Sequence, residues 1–150
     1  MIKRILILCI FCLCCASPNA SSSDIYQLAL PDGVVIEAEV VKDKAKGLQN
    51  RNYLCPECGM LFIFEAEGLH SFWMKDTLLS LTLVWMDKQG KVVHIVRAAE
   101  PCKYESDPRR ECEVYIPGSK AKYVLELLPG ADSSIKIGSE LKILKPDKRE

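Results

Sequence analysis

The pattern of apolar and polar residues predicts β structure soon after the N-terminal segment. Residues 34–41 read VVIEAEVV, so apolar side chains alternate with two glutamates. This two-residue period is typical of a half-buried strand. Residues 60–64 (MLFIF) form a short apolar run bounded by glycine-containing segments, which indicates a buried strand.

Residues 72–86 (FWMKDTLLSLTLVWM) are strongly apolar but do not suit a single helix. A helix would have no single apolar stripe, and a membrane span needs about 20 apolar residues without charges. In the second half of the stretch, apolar residues recur at every second position, and a polar turn with a glycine follows. We therefore predict a hairpin of residues 80–86 with residues 91–96, and a separate short strand over residues 71–75.

The remaining segments add strands and little helix. We predict a strand or short helix over residues 123–127, a final strand over 140–144, one short helix within the polar residues 42–51, and one helical turn within 131–138. No helix is long enough to cross between parallel strands. About seven strands therefore predict a mainly β domain, a compact sandwich or barrel with one or two short helices.

The N-terminus has the order of a secretory signal peptide. Lys3 and Arg4 precede an apolar core over residues 5–15, and small and polar residues follow it. The core is shorter than the about 20 residues of a membrane-spanning helix. We predict a signal peptide over residues 1–20, cleaved near residues 16–20, with a buried N-terminal helix as the alternative.

Lipid attachment at Cys14 or Cys15 would instead anchor the exported chain, although neither cysteine follows the usual small residue. Beyond the leader we predict a linker and first turn over residues 21–33, a β domain over 34–145 and a polar tail over 146–150. The expected location is the periplasm or the extracellular space, and the only expected membrane contact is this lipid anchor.

The composition and motifs of the chain limit the ligands and reactions that we expect. The 150 residues hold 20 lysines and arginines against 20 aspartates and glutamates. No basic stripe occurs, so nucleic acid is not an expected partner. His70, His94 and the scattered methionines lack any ligand spacing that would indicate copper. No serine-nucleophile motif and no paired buried carboxylates occur, so the sequence leans against an enzyme and predicts neither cofactor nor metal.

Export changes how the cysteines are interpreted. Four lie beyond the leader: Cys55, Cys58, Cys102 and Cys112. An even number in an oxidising compartment favours disulfides. We favour Cys102 with Cys112, because this bond closes a polar loop and would contribute about 2–3 kcal/mol. Cys55 and Cys58 would pair with each other or stay reduced, and cross-pairing between the two sets remains open.

The segment CPEC at residues 55–58 has two functional interpretations besides a loop disulfide. A CxxC pair can be a redox dithiol, but here a predicted strand follows it, so no helix N-terminus lowers the thiol pKa. All four cysteines could bind zinc, yet the second pair is too widely spaced for a zinc ribbon.

Several segments resemble a widespread prokaryotic family called domain of unknown function 192. They follow one another in order: GLQNR (47–51), GMLFIF (59–64), SFWMKDT (71–77), MDKQGKVVHI (86–95), AAEPC (98–102) and YVLELLPG (123–130). The resemblance implies a mainly β, jelly-roll-like fold with minor helices, and no assigned activity. The family commonly has asparagine at the position of Asp76, and proline and aspartate at those of Ser80 and Thr82.

The most distinctive candidate site is the segment from Trp73 to Thr77. If Phe72 and Met74 point into the core, Trp73 and Lys75 face outward together. An exposed indole beside a cation and a carboxylate could bind a ligand with a flat apolar face. The alternative is that Lys75 covers the indole and Asp76 caps a turn.

Arg51, Tyr123 and Glu126 could complete such a pocket. We therefore expect an exported, non-catalytic binding module for a small molecule, a glycan or an envelope partner, with Trp73, Lys75, Asp76, Thr77 and Arg51 as candidate ligand-binding residues. The alternative function is thiol-redox chemistry or metal handling through Cys55 and Cys58.

Overall fold

The computed structural model describes residues 24–102 and 111–145, so the predicted signal peptide and polar tail lie outside the described residues. The described chain forms nine strands: β1 (Ile25–Ala29), β2 (Val35–Val40), β3 (Cys58–Gly68), β4 (Phe72–Trp73), β5 (Leu81–Met86), β6 (Val92–Ala99), β7 (Val114–Tyr115), β8 (Ala121–Leu127) and β9 (Lys142–Leu144). No α-helix occurs in these two ranges, and hence none with the length and apolarity to span a bilayer. The predicted mainly β fold is confirmed.

Seven strands form one sheet in the order β6-β5-β8-β3-β2-β1-β9, and β4 pairs with β7 in a small second sheet. Neighbouring strands are antiparallel except for β2 and β3, which run parallel. A bridge between Lys91 and Glu140 brings the start of β6 close to the residues that lead into β9. Because β6 and β9 are the opposite edges of the sheet, the sheet curls strongly without closing into a barrel.

Each face of the curled sheet carries an apolar cluster, because side chains alternate along every strand. The inner cluster is enclosed by the curl and includes Leu28, Ile36, Leu61, Val84, Val92, Leu125 and Leu141. The outer cluster joins the other face to segments outside the sheet and includes Met60, Phe62, Leu83, Trp85 and Val124 with Leu48, Met74 and Cys102. Strand β5 is buried at all six positions, which explains why its sequence is apolar on both faces.

Two predicted helices are wrong. Residues 42–51 and 131–138 form turns. In the first segment, Gly47 (φ 43°) and Asn50 (φ 59°) have left-handed backbone conformations, which a right-handed helix cannot include. In the second, the carboxylate of Asp132 accepts the backbone N–H two residues before it. Such local bonds to side chains favour turns over helix.

Strand boundaries also differ from the prediction in two places. The segment predicted as a linker, 21–33, contains β1, which pairs with both β2 and β9. The strand predicted over residues 71–75 is only two residues long, because the backbone turns immediately after it. The hairpin of β5 and β6 and the strands predicted over 34–41 and 60–64 are present.

Candidate functional site

Strand β4 and the residues after it place Trp73 and Lys75 on the same side. The side chain of Trp73 is 48% exposed, whereas Met74 between them is buried in the outer cluster. The Nζ atom of Lys75 lies 5.3 Å from the centroid of the indole ring, a distance at which a cation and a π face attract each other. The indole is therefore partly covered by the lysine and partly open to solvent.

The charged corner at residues 75–77 is a turn fixed by backbone hydrogen bonds. Asp76 has a φ of 53°, which aspartate and asparagine tolerate better than most residues. Its N–H donates to the carbonyl of Cys102 at 2.6 Å, and its carbonyl accepts the N–H of Asn50 at 2.8 Å. Asp76 is buried and is not among the residues that line the neighbouring cleft. In this structure it forms part of the turn.

Trp73, Lys75 and Thr77 line a small cleft, here termed the Trp73 cleft, between the corner and the loop of residues 42–51. The other lining residues are Lys44, Ala45, Lys46, Gly47, Leu48, Gln49, Phe62, Phe72 and Glu126. A backbone bridge between Gln49 and Thr77 holds the loop against the corner. The cleft volume is about 30 Å³, room for roughly two water molecules. It can receive one polar group of a ligand whose remainder lies on the exposed indole.

Glu126 contributes a buried carboxyl group to this cleft. In β8 it lies opposite Met60 of β3 and Leu83 of β5, so apolar side chains flank it on both sides. Burial raises the pKa of Glu126 to about 8, because the carboxylate would lose its hydration there. Within residues 24–102 and 111–145, its Oε2 atom has no hydrogen-bond partner. Buried polar atoms of this kind usually have a partner, which here would be water, a ligand or a residue outside the described ranges.

Gly47 packs closely against Phe62 and Glu126. A Cβ atom at this position would lie 3.1 Å from the ring of Phe62 and 3.8 Å from Oε2 of Glu126. The φ of 43° also favours glycine. The backbone conformation and the available space therefore both require a residue without a side chain.

The charged side chains around the cleft are mainly positive. Lys44 and Lys46 project from the loop, and Lys75 lies at the corner. Lys44 also has its Nζ atom 5.7 Å from the centroid of the Phe64 ring. Because Glu126 is largely protonated at neutral pH, it does not offset the lysine charges.

The structure does not bring all candidate residues together. Arg51 forms a salt bridge of 2.7 Å with Glu39 and lines a separate depression beside Tyr53. The hydrogen bond to Glu39 raises the pKa of Arg51. Tyr123 packs against the inner cluster, on the opposite face from Glu126. Neither residue lines the Trp73 cleft.

Sequence reasoning missed the loop side of the cleft. Lys44, Lys46, Gly47 and Gln49 were assigned to a short helix without any role in a site. The available signal was Gly47, a poor residue for a helix interior, in a segment that resembles the family.

Both predicted cysteine pairs lie at disulfide distance. Cys102 is joined to Cys112, and Cys55 to Cys58. Cys58 begins β3, and its N–H donates to the carbonyl of Cys55. The Cys55–Cys58 disulfide therefore closes a turn at the start of a strand. In the described part of the chain, no three histidine, cysteine, aspartate or glutamate residues are grouped as metal ligands would be.

Thr82 occupies the position at which the resemblance places an aspartate. It is fully buried in β5, between Leu81 and Leu83 of the outer cluster, so its side chain points to the inner face. Within the described residues, its Oγ1 atom has no hydrogen-bond partner. Thr82 therefore lies on the opposite face of the sheet from Glu126.

Comparison with models of known protein families assigns this chain to a family. The family model of domain of unknown function 192, described as "Uncharacterized ACR", matches residues 30–143. The chain therefore belongs to this uncharacterised family, as its sequence segments predicted. A search of curated proteins finds no match.

Two solved structures share the fold. One is a protein of Sinorhizobium meliloti 1021 described as a candidate transcription regulator, with 23% identity and a TM-score of 0.68, over 85% of this chain and 98% of that chain. The other is a protein of unknown function from Novosphingobium aromaticivorans DSM 12444, with 23% identity and a TM-score of 0.67, over 79% and 83% of the two chains. At this identity the likeness concerns the fold alone.

Proposed function

We propose that the chain is a non-catalytic binding module that holds a small saccharide ligand at the Trp73 cleft. One observation carries this proposal: a half-exposed indole and a buried carboxyl oxygen without a hydrogen-bond partner among the described residues belong to the same cleft. A sugar ring has an apolar face that can stack on an indole, and hydroxyl groups at its edge that need hydrogen bonds.

The polar lining suits a hydroxyl-bearing ligand. A protonated Glu126 both donates and accepts hydrogen bonds, as do the side chains of Gln49 and Thr77. One hydroxyl group entering the cleft would give the Oε2 atom of Glu126 the partner that it lacks within the described residues. Neighbouring groups of the same ring would then lie over Trp73.

The lining supports binding over hydrolysis. Glycoside cleavage commonly uses two carboxyl groups on opposite sides of the scissile bond. Among the described residues, the Trp73 cleft contains one carboxyl group, that of Glu126. Thr77 supplies a hydroxyl group, but no histidine or second carboxylate from residues 24–102 and 111–145 lines the cleft to activate it.

Binding of saccharides to the purified protein, measured by isothermal titration calorimetry across a panel of mono- and oligosaccharides, tests the proposal. Trp73→Ala should weaken binding by about tenfold or more, since stacking aromatic residues dominate such contacts. Tyr53→Ala is the matched control, because Tyr53 is an exposed aromatic residue outside the cleft. Unchanged affinity in Trp73→Ala and Lys75→Ala would contradict the proposal.

The proposal includes export of the chain to an oxidising compartment. It is supported by the leader-like order of residues 1–20 and by the two cysteine pairs at disulfide distance. The mass of protein taken from its native compartment would show cleavage or lipid attachment.

Counting free thiols in the same sample tests the alternative role in thiol-redox chemistry or metal handling. Two stable disulfides without bound metal would remove that alternative. Reactive thiols at Cys55 and Cys58, or bound zinc, would favour it over saccharide binding.

A further inference from the structure

The large sheet carries exposed apolar side chains on the part of its outer face that β1, β2 and β9 form. The outer cluster packs on β3, β5 and β8, whereas Ile25 of β1, Val35 of β2 and Leu144 of β9 are exposed. The strand register places Ile25 on the outer face, because it lies opposite Glu39, which in turn lies opposite Met60 of the outer cluster. Exposed apolar side chains that share one face of a sheet suit contact with a partner.

Two adjoining depressions lie between this exposed face and the connection from β2 to β3. Their volumes are about 360 and 250 Å³. Glu37, Cys55 and Cys58 line both of them, so together they form one groove, here termed the Tyr53 groove. Val35 and Glu57 also line the first depression, and Ile25, Arg51 and Tyr53 the second. None of these residues lines the Trp73 cleft, so the groove is a second site.

Tyr53 and Arg51 give the groove side chains that are typical of protein–protein contacts. Tyr53 is 71% exposed, the largest exposed fraction among the large apolar side chains of residues 24–102 and 111–145. Tyrosine and arginine are enriched at protein interfaces and among the residues that dominate their binding energy. The salt bridge with Glu39 orders the side chain of Arg51. The groove therefore has an aromatic anchor beside an oriented guanidinium group.

The charge of the Tyr53 groove favours a basic partner. Its charged lining residues are Glu37, Glu39, Glu57 and Arg51, and Arg51 neutralises Glu39. Glu37 and Glu57 are exposed and adjoin each other, since the N–H of Glu37 donates to the carbonyl of Glu57 at 2.9 Å. Within the described residues, neither of these two glutamates takes part in an ion pair. Two carboxylates beside apolar side chains complement a partner in which lysine or arginine alternates with apolar residues.

We infer that the Tyr53 groove docks a basic segment of a partner polypeptide. Apolar side chains of the partner lie on Ile25 and Tyr53, and its cations pair with Glu37 and Glu57. An extended peptide suits this surface, because its side chains alternate and its length matches a groove that crosses several strands.

This second surface does not rest on saccharide binding. The connection between β2 and β3 separates the two sites: its residues 44–49 line the Trp73 cleft, and residues between 51 and 55 line the Tyr53 groove. The chain would thus hold a ligand and a partner protein at the same time.

Fluorescence anisotropy with labelled synthetic peptides of about eight residues, long enough to cross the strands of this face, tests the inference on the full chain. One peptide contains lysine and leucine in a serine background, and matched peptides have glutamate or glutamine in place of each lysine. The lysine peptide should bind at least about tenfold more tightly than either, and its affinity should fall with rising salt. Glu37→Gln together with Glu57→Gln should remove this preference without unfolding the chain, because both side chains are exposed.

Tyr53→Ala and Trp73→Ala are matched controls for each other. Tyr53→Ala should weaken binding of the lysine peptide by about tenfold and leave saccharide binding unchanged, because Tyr53 lines the groove and not the cleft. Trp73→Ala should have the reverse effects. Equal binding of the three peptides, or unchanged peptide affinity in Tyr53→Ala, overturns the inference. Absence of saccharide binding with an intact preference for the lysine peptide overturns the proposed function alone.

Two other occupants of the groove would be recognised in the same experiments. Self-association of the natural chain that Tyr53→Ala abolishes, measured by sedimentation velocity, would assign the groove to a second copy. Residues 146–150 contain Lys148 and Arg149. Peptide binding that occurs only in the double variant Lys148→Gln and Arg149→Gln would assign the groove to this tail. Either result overturns the inference of a basic partner.

Discussion

The carbonyl oxygen of Cys102 accepts the backbone N–H of Asp76 at 2.6 Å. Cys102 also forms backbone bridges with Lys75 and Thr77, and its sulfur is bonded to Cys112, which lies just before β7. Strand β7 in turn pairs with β4, the strand of Trp73. Cys102 thus contacts the corner at residues 75–77, and β7 contacts the strand of Trp73. The Cys102–Cys112 disulfide links these two contacting segments covalently.

Replacing both Cys102 and Cys112 by serine should lower the free energy of unfolding by about 2–3 kcal/mol, the loop-closure contribution of a cross-link of this span. It should also weaken ligand binding at the Trp73 cleft, because the corner loses a covalent support. Urea unfolding followed by tryptophan fluorescence measures the first effect, and calorimetry the second.

The double serine variant of Cys55 and Cys58 is the control for this prediction. These residues are three positions apart, against ten for the other pair, so loop closure contributes less, about 1.5 kcal/mol. Neither cysteine lines the Trp73 cleft. A larger loss of ligand binding in this control than in the double serine variant of Cys102 and Cys112 would contradict the supporting role of the Cys102–Cys112 disulfide.

The stability of the protein should decrease as the pH rises through the range in which Glu126 titrates. The unfolded chain releases the proton near the ordinary pKa of 4.5, but the folded chain holds it to about 8. Between these values the folded state binds more protons, so the free energy of unfolding falls with rising pH. Glu126→Gln should remove this dependence and be more stable than the natural chain near pH 7, by roughly 1–3 kcal/mol.

Urea titrations at pH 5, 7 and 9 measure this effect. The difference between Glu126→Gln and the natural chain should increase between pH 5 and pH 9. A constant difference would mean that burial does not hold the proton on Glu126.

Replacing Gly47 by alanine should both destabilise the protein and obstruct the cleft. The left-handed conformation costs about 1 kcal/mol for a residue with a Cβ atom, and the added atom approaches the ring of Phe62 at 3.1 Å. Ligand affinity should fall because the new methyl group lies 3.8 Å from Oε2 of Glu126. Thermal unfolding and calorimetry measure the two effects.

Gly33→Ala is the matched variant for Gly47→Ala. Gly33 also has a positive φ, 89°, but an added Cβ atom would meet no atom within 4 Å. It should lose stability and keep ligand affinity. Equal loss of affinity in both variants would show that strain alone, and not obstruction, explains the effect at Gly47.

Asp76→Asn should be tolerated, with a change in the free energy of unfolding within about 1 kcal/mol, because asparagine also accepts a positive φ. Asp76→Leu should cost more than asparagine by about 1–2 kcal/mol. The two variants can be compared by thermal unfolding. Greater loss of stability in the asparagine variant would show that the carboxylate charge, and not the backbone conformation, determines this position.

The sequence alone predicts a segment's structure correctly where apolar residues recur with one regular period and the segment packs against one type of neighbour. The alternation in β2 and the hairpin of β5 with β6 follow from side chains that face an apolar cluster on one side or on both. The outward direction of Trp73 beside the buried Met74 follows from the same rule. These features depend on local order along the chain, so they can be predicted without knowing the fold.

The cleft could not be assembled in this way, because its walls come from distant parts of the chain. Glu126 meets the loop at Gly47 only through the order of β3 and β8 in the sheet. Arg51 follows the same loop but turns toward Glu39. Good helix-forming residues around Gly47 concealed a turn whose left-handed backbone is visible only in the structure.

The parallel pairing of β2 with β3 requires the chain to return between them through residues 41–57, a connection that α/β proteins usually make with a helix. Here that connection is irregular and forms one wall of the cleft. The connection supplies Lys44, Lys46 and Gly47 to the cleft, whereas the strands supply Phe62, Trp73 and Glu126. Under the proposed function, insertion, deletion or substitution in this connection would change one wall of the cleft and leave the pairing of the strands unchanged.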